Sequence, residues 1–324
     1  MLHLSPTEPF AILGALRRGL GAFAVLSLTS FTASAQEQAP AAPEAAPKPP
    51  PYSLPFQLRP VAPGTVLRSD TAIGFYESPQ TGDSGSAVVS MFLASLKLGD
   101  SFAPLVRLGV VSNSPPGPVL DSATAFLNPV LGGIFGLKLS PELKLGLFLG
   151  VTLPVGSGGG NDPDPNVRAA LAAGILTRSA MDNAMFAVNY FTVFPGVGFA
   201  FVGSGLTAQI EATLLQLMRV RGEDVDLESS RTNFTAGLHL GYFVVPALSL
   251  GAELRHQRWL STPRAVEQND NLRDTTTFAV GPRVHLKLAE KIWLRPGVAY
   301  ARGLDKPMTD ANYNIVQLDV ALAL

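Results

Sequence analysis

The segment Val316-Gln317-Leu318-Asp319-Val320-Ala321-Leu322-Ala323-Leu324 decides the fold. Its even positions are bulky and apolar, and its odd positions are polar or small. That two-residue period marks a β-strand with one apolar face and one polar or crowded face. Terminal segments usually fray unless something ties them down. A strand here has to be held by pairing, and its natural partner is the first strand of the same sheet. Such pairing closes a barrel.

The same alternation recurs upstream. In Thr275 to Leu288, Phe278, Val280, Val284, Leu286 and Leu288 share one face, while Thr277, Gly281, Arg283, His285 and Lys287 share the other. Leu206, Ile210, Leu214 and Met218 stand opposite Gln209, Glu211 and Thr213. Pro282 lies on the apolar face of its strand, where a missing ladder donor predicts a bulge. About twelve such segments follow one another from Val66, each roughly 10–16 residues long and bounded by turn signals.

The connections alternate in length. Gly99-Asp100, Ser140-Pro141-Glu142, Gly203-Ser204-Gly205, Val245-Pro246 and Ala289-Glu290 are short turns. Between them lie longer polar loops at 77–85, 113–122, 155–191, 220–231, 260–274 and 303–312. Outer-membrane barrels have short periplasmic turns and long outer loops in this order. The predicted fold is therefore all-β: a closed antiparallel up-and-down transmembrane barrel of about 12 strands, or 14 if 155–191 adds two. Tyr76, Tyr190, Tyr242, Tyr300, Tyr313, Trp259 and Trp293 fall near strand ends, where interfacial belts sit.

Composition agrees. Charged residues make up 15% of the 324 residues and mean hydropathy is +0.25. Apolar residues spread over alternate positions account for both. A net charge of -1 argues against a nucleic-acid partner. The chain has no Cys, which excludes disulfides, thiolate metal sites and a Cys nucleophile.

Residues 1–35 read as a cleaved secretory signal, with Arg17-Arg18, an apolar core from Gly19 to Phe31, and the cleavage site Ala33-Ser34-Ala35. Residues 36–63 are rich in Ala and Pro and read as an extended periplasmic tether. The barrel occupies 64–324. In the 155–191 insert, Asp164-Pro165 gives an N-cap and a first-turn proline before Val167 to Met181, an Ala/Leu-rich helix. Arg168, Leu171, Ile175 and Arg178 belong to this insert. Val167, Leu171 and Ile175 would form a stripe, and Gly196, Gly198 and Ala200 opposite would leave room for it. The helix then narrows the barrel mouth; a helix outside the mouth, or a mobile loop, is the alternative.

Charges on the lipid face of a barrel are costly, so the charged set belongs inside. The lumen-facing candidates are Arg107, Lys144, Glu211, His239, Glu253, Arg255, Arg283, His285, Arg295 and Asp319. Their mixed signs predict a wet or salt-bridged lumen without a strong ion preference. His239, His256 and His285 lie at different heights on successive strands, too far apart for one metal. His239 falls near Glu253 across a hairpin. No spacing singles out a nucleophile, so the reading carries no catalytic residues, no metal and no cofactor.

The chain resembles bacterial outer-membrane barrels. The strand end Thr152-Leu153-Pro154-Val155-Gly156-Ser157-Gly158, followed by a long insert, is similar to the barrels of the MetA pathway of phenol degradation and related hydrophobic-compound transporters. The resemblance implies a Gram-negative outer membrane, and the alternation of short turns and long loops puts both termini on its periplasmic side. The resemblance also implies lipid and the barrel-assembly machinery as partners, and passage of small solutes, hydrophobic ones included. A non-conducting structural or surface-binding barrel is the rival. Cargo and oligomeric state lie beyond these residues.

Overall fold

The computed structural model describes residues 52–324; the expected signal and the first part of the expected tether lie outside them. The strands are β1 (Val66–Glu77), β2 (Ser84–Ser95), β3 (Phe102–Ser114), β4 (Ala123–Phe126), β5 (Val130–Lys138), β6 (Leu143–Thr152) and β7 (Tyr190–Gly203). They continue as β8 (Leu206–Arg219), β9 (Ser230–Val245), β10 (Leu248–Trp259), β11 (Asp274–Val284), β12 (Leu286–Lys287), β13 (Trp293–Gly303) and β14 (Asn314–Ala323). All pair antiparallel with their neighbours, and β14 pairs with β1 from Val66↔Ala323 to Phe75↔Asn314. β11 and β13 join as well, which completes a closed barrel of 12 strands.

Fourteen ladder segments make twelve spans because two spans are interrupted. β4 and β5 are one span broken at Leu127–Pro129. There Asn128 turns inward, donating to the Ala187 carbonyl (2.9 Å) and accepting from the Gly156 N–H (2.9 Å). β11 and β12 are broken at His285, whose N–H goes to the Ala247 carbonyl. The bulge expected at Pro282 is absent. Val280↔Tyr300 and Arg283↔Gly297 keep one register, so the ladder skips Gly281-Pro282 without gaining a residue. Pro195 leaves the same kind of gap between Val193↔Gln216 and Gly196↔Thr213. A missing donor costs one rung, and strands held firmly on both sides need not shift.

The two faces separate as alternation requires. On β10, Leu250 and Leu254 are 49% and 41% exposed, while Glu253 and Arg255 are 1% and 0% exposed. The exterior is the apolar, membrane-facing side. Not all strand-end aromatics join it: Tyr242 and Tyr300 face outward, but Tyr190 and Tyr313 are buried inside. Tyr313 stacks on Tyr76 (4.9 Å between ring centres) and its hydroxyl donates to the Ala173 carbonyl.

Candidate functional site

Two segments fill the lumen, one from each rim. The first is Tyr52 to Gly64, the end of the stretch expected to be a tether. It rises from the short-turn rim, where the Ser53 N–H donates to Thr207 Oγ1 (3.0 Å), to an apex at Gln57-Leu58. It then returns past Val61 to β1. Phe56, Leu58 and Val61 are buried. Its three prolines, Pro55, Pro60 and Pro63, deny it a regular ladder, so its backbone is captured by strand side chains instead. Glu253 accepts from the Phe56 N–H, and Glu211 from the Arg59 N–H (2.7 Å). Arg68 donates to the Pro55 carbonyl (2.9 Å) and Arg283 to the Leu54 carbonyl (3.2 Å). Mixed charge in the lumen thus matches an extended chain: carboxylates take its N–H groups and guanidiniums take its carbonyls. The part of the expected tether from Tyr52 onward therefore lies within the barrel.

Inward glycines receive this segment. A Cβ at Gly146 would lie 2.8 Å from the Val61 carbonyl oxygen, and one at Gly198 would lie 2.7 Å from Val61 Cγ1. A Cβ at Gly237 would run into the Leu58 side chain. The room expected at Gly196, Gly198 and Ala200 for a helix is taken by Arg59 and Val61.

The second segment is the 155–191 insert. Helix α1 (Pro165–Thr177) starts with Asp164 accepting from the Asn166 N–H (2.7 Å), the predicted cap. It packs against β1 to β4, with Ala170, Leu171, Gly174 and Thr177 buried. Val167 and Ile175 are only partly buried, so the packed stripe is rotated from the expected one. The small residues that permit close approach are on the helix. A Cβ at Gly174 would collide with Phe186 and come within 2.9 Å of Val111. The helix ends four residues before Met181, because Ser179 and Ala180 take left-handed φ values of 54° and 52°. Helix α2 (Asn183–Phe186) follows, and α3 (Arg264–Gln268) lies in the loop between β10 and β11.

The bend delivers Arg178 to the middle of the barrel, fully buried. It meets both carboxylate oxygens of Asp70 at 2.8 Å and Asp182 at 2.9 Å. Arg107 meets Asp182 at 2.5 Å. The insert and the N-terminal segment touch here: Gln57 Nε2 donates to the Arg178 carbonyl, and Gln317 Nε2 donates to Gln57 Oε1 (3.2 Å). Arg255 binds Glu253 (2.6 Å) and Gln317 (2.7 Å) and approaches Ser179 Oγ (3.4 Å).

Nine of the ten lumen candidates have inward partners. Asp319 is held by Arg68 and Arg283. His239 lies 3.5 Å from Glu253, its ladder partner. Lys144 sits over the Tyr52 ring at 5.6 Å. Arg295 has no carboxylate among the described residues and lies by the Trp293 ring (6.0 Å). His285 Nε2 is 2.9 Å from Ser249 Oγ, a serine–histidine pair that spacing did not reveal. His285 Nδ1 has no partner among the described residues, and both side chains are buried. Asp70, Arg68 and Asp182 join this network although they are not among the lumen candidates. Asp70 and Arg68 alternate on β1 as Glu253 and Arg255 do on β10, which was a usable signal. Asp182 needs the insert's bend and had none.

Two cavities of more than 100 Å³ lie in the lumen among the described residues. The inner one, about 120 Å³, lies between the N-terminal segment, the insert and the wall. Leu93, Leu105, Ile134, Phe148, Met185 and Phe194 are among its apolar lining, and Arg59, Arg107 and Asp182 among its polar lining. The outer one, about 180 Å³, lies between α1 and the β8–β10 wall. The α2 turn divides them: Ala184 and Met185 face the inner cavity, Asn183 and Phe186 the outer.

No protein-family model and no curated protein matches the chain. Among solved structures, an outer membrane channel from Pseudomonas putida F1 is similar, with TM-score 0.53 and 16% identity over 83% of this chain and 98% of that one. The NanC porin follows at TM-score 0.48 and 9% identity, covering 79% and 98%. The chain has the closed barrel fold of outer-membrane channels.

Proposed function

We propose that this barrel passes small apolar molecules across a Gram-negative outer membrane, with its lumen restricted by the N-terminal segment below and the insert above. The observation that carries this reading is the inner cavity. An apolar chamber in the lumen of a barrel, closed by two segments that are not part of the wall, suits an apolar solute better than a hydrated ion. The channel fold supports the same reading. Arg107, Lys144, Glu211, His239, Glu253, Arg255, Arg283, His285, Arg295 and Asp319 hold the restricting segments or line the space they leave. In this reading both termini are periplasmic, lipid surrounds the exterior, and the barrel-assembly machinery inserts the chain.

The extent to which the lumen is filled favours a second reading, a permanently closed structural barrel. A lock separates the two. A Cβ at Gly237 lies 3.2 Å from Leu58 Cγ, within reach of a disulfide in a Leu58→Cys, Gly237→Cys chain. Cells bearing the chain should accumulate the apolar fluorophore N-phenyl-1-naphthylamine faster than cells without it. The oxidised lock should slow uptake, and reduction should restore it. Equal rates in all cells, with the barrel folded and inserted, would abandon passage in favour of the closed barrel.

A further inference from the structure

The outer cavity has a composition unlike the inner one. Its walls are the aromatic rings of Phe186, Tyr190 and Trp259 together with Leu171 and Ile175. Two guanidiniums and one carboxylate complete it. Arg231 is neutralised where it stands, paired with Asp226 (3.0 Å) and Glu228 (2.5 Å) and laid over the Tyr190 ring at 4.7 Å. Asp226 is also held by Asn189 Nδ2 (2.8 Å). Arg168 is different. It is exposed on α1, lines the same cavity, and has no ion pair among the described residues. Arg168 is therefore the guanidinium of the cavity left without an ion pair among the described residues, and Trp259 is its most accessible ring, with Phe186 and Tyr190 buried in the walls. Asn183 lines it too, 4% exposed, with an amide oxygen that has no partner among the described residues.

We propose that the outer cavity is a binding site for a single-ring aromatic monoanion, an aromatic carboxylate. The ring packs against Trp259, with Phe186 and Tyr190 in the wall behind it, and the carboxylate meets Arg168. A planar guanidinium matches a carboxylate in two parallel bonds, and aromatic rings prefer offset or edge contacts with their own kind. A volume of about 180 Å³ is the scale of one ring with a small substituent, since an apolar cavity of about 150 Å³ takes up benzene. The site stands on the outer cavity alone, so it holds whether or not anything passes the lumen.

The chain has two tryptophans, so Trp293→Phe leaves Trp259 as the single reporter. Its emission is titrated with benzoate and with benzyl alcohol, the neutral analogue, in detergent solution. Benzoate should shift the emission saturably and bind more tightly than benzyl alcohol. Arg168→Gln, a surface change on α1, should weaken benzoate by about tenfold or more, the size of one charged contact, and leave benzyl alcohol unchanged. No saturable response to benzoate overturns the site. Equal affinity for the two ligands, or benzoate binding indifferent to Arg168→Gln, overturns the assignment of an anion.

Discussion

Arg178 and Asp70 form a two-bond ion pair, 2.8 Å on each side, between the insert and the inner wall of β1. Neither side chain is at a rim. The pair sits where the insert from one end meets the N-terminal segment from the other, through the Gln57 bond to the Arg178 carbonyl. The two restricting segments are therefore one interlocked unit, and displacing either removes contacts from the other.

Arg178→Leu should undock the insert. A buried pair broken on one side leaves a charge without its partner, at a cost of about 3–5 kcal/mol. Asp70 would keep only Arg107, 3.5 Å away. Limited proteolysis should then cut within 155–191 in Arg178→Leu protein and spare the parent chain. Adding Asp70→Asn should recover part of the protection, because no bare carboxylate remains. Equal protection in the single variant and the parent would deny the pair its role.

Gly146→Val should push out the N-terminal segment while the barrel persists. The clash is with Val61 backbone, which cannot rotate away as a side chain can. Gly146 itself lies in a strand, where valine is a good residue. Residues 52–64 should become protease-sensitive while the folded band on unheated gels is retained. A segment as protected as in the parent would count against the packing described.

The barrel was readable because its cause is local. Leu250 and Glu253 face opposite sides of β10, and a two-residue period states this in the chain itself. The charged lumen set followed from the same rule. What the charges hold did not follow. Phe56, Leu58 and Arg59 lie in a proline-rich stretch with no period, and their partners Glu253, Gly237 and Glu211 are more than a hundred residues away. The insert's depth was hidden likewise, since it depends on left-handed Ser179 and Ala180, which no helix propensity predicts.

Leu254→Arg should destabilise the barrel where Leu254→Phe should not. Leu254 faces outward in the middle of β10, and a charge there costs about 2–4 kcal/mol near the midplane. Phenylalanine keeps that outward position apolar and brings no such cost. Unfolding from detergent into urea should show a lower midpoint for Leu254→Arg. A midpoint for Leu254→Arg no lower than for Leu254→Phe would mean that Leu254 does not face lipid.

Mild acid should leave the insert docked. Burial by itself would raise the Asp182 carboxyl, but Arg107 and Arg178 outweigh it and hold the group below the usual carboxylate range. A folded-state value below the unfolded one, about 3.9 for Asp, means the carboxylate contributes its full stabilisation above that unfolded value. The contribution fades only as pH falls through the lower folded value. Asp70, Arg107 and Arg178 face it from the wall and the insert, and Gln57 Nε2 approaches it at 3.3 Å from the N-terminal segment. Protection of the insert from proteolysis, read with proteases active at each pH, should be the same at pH 7 and pH 5. Arg107→Gln removes one of the two cations, so in that variant protection should begin to fail at a higher pH than in the parent. Release of the parent insert between pH 7 and 5 would mean that Asp182 is protonated far above the range its two arginines impose.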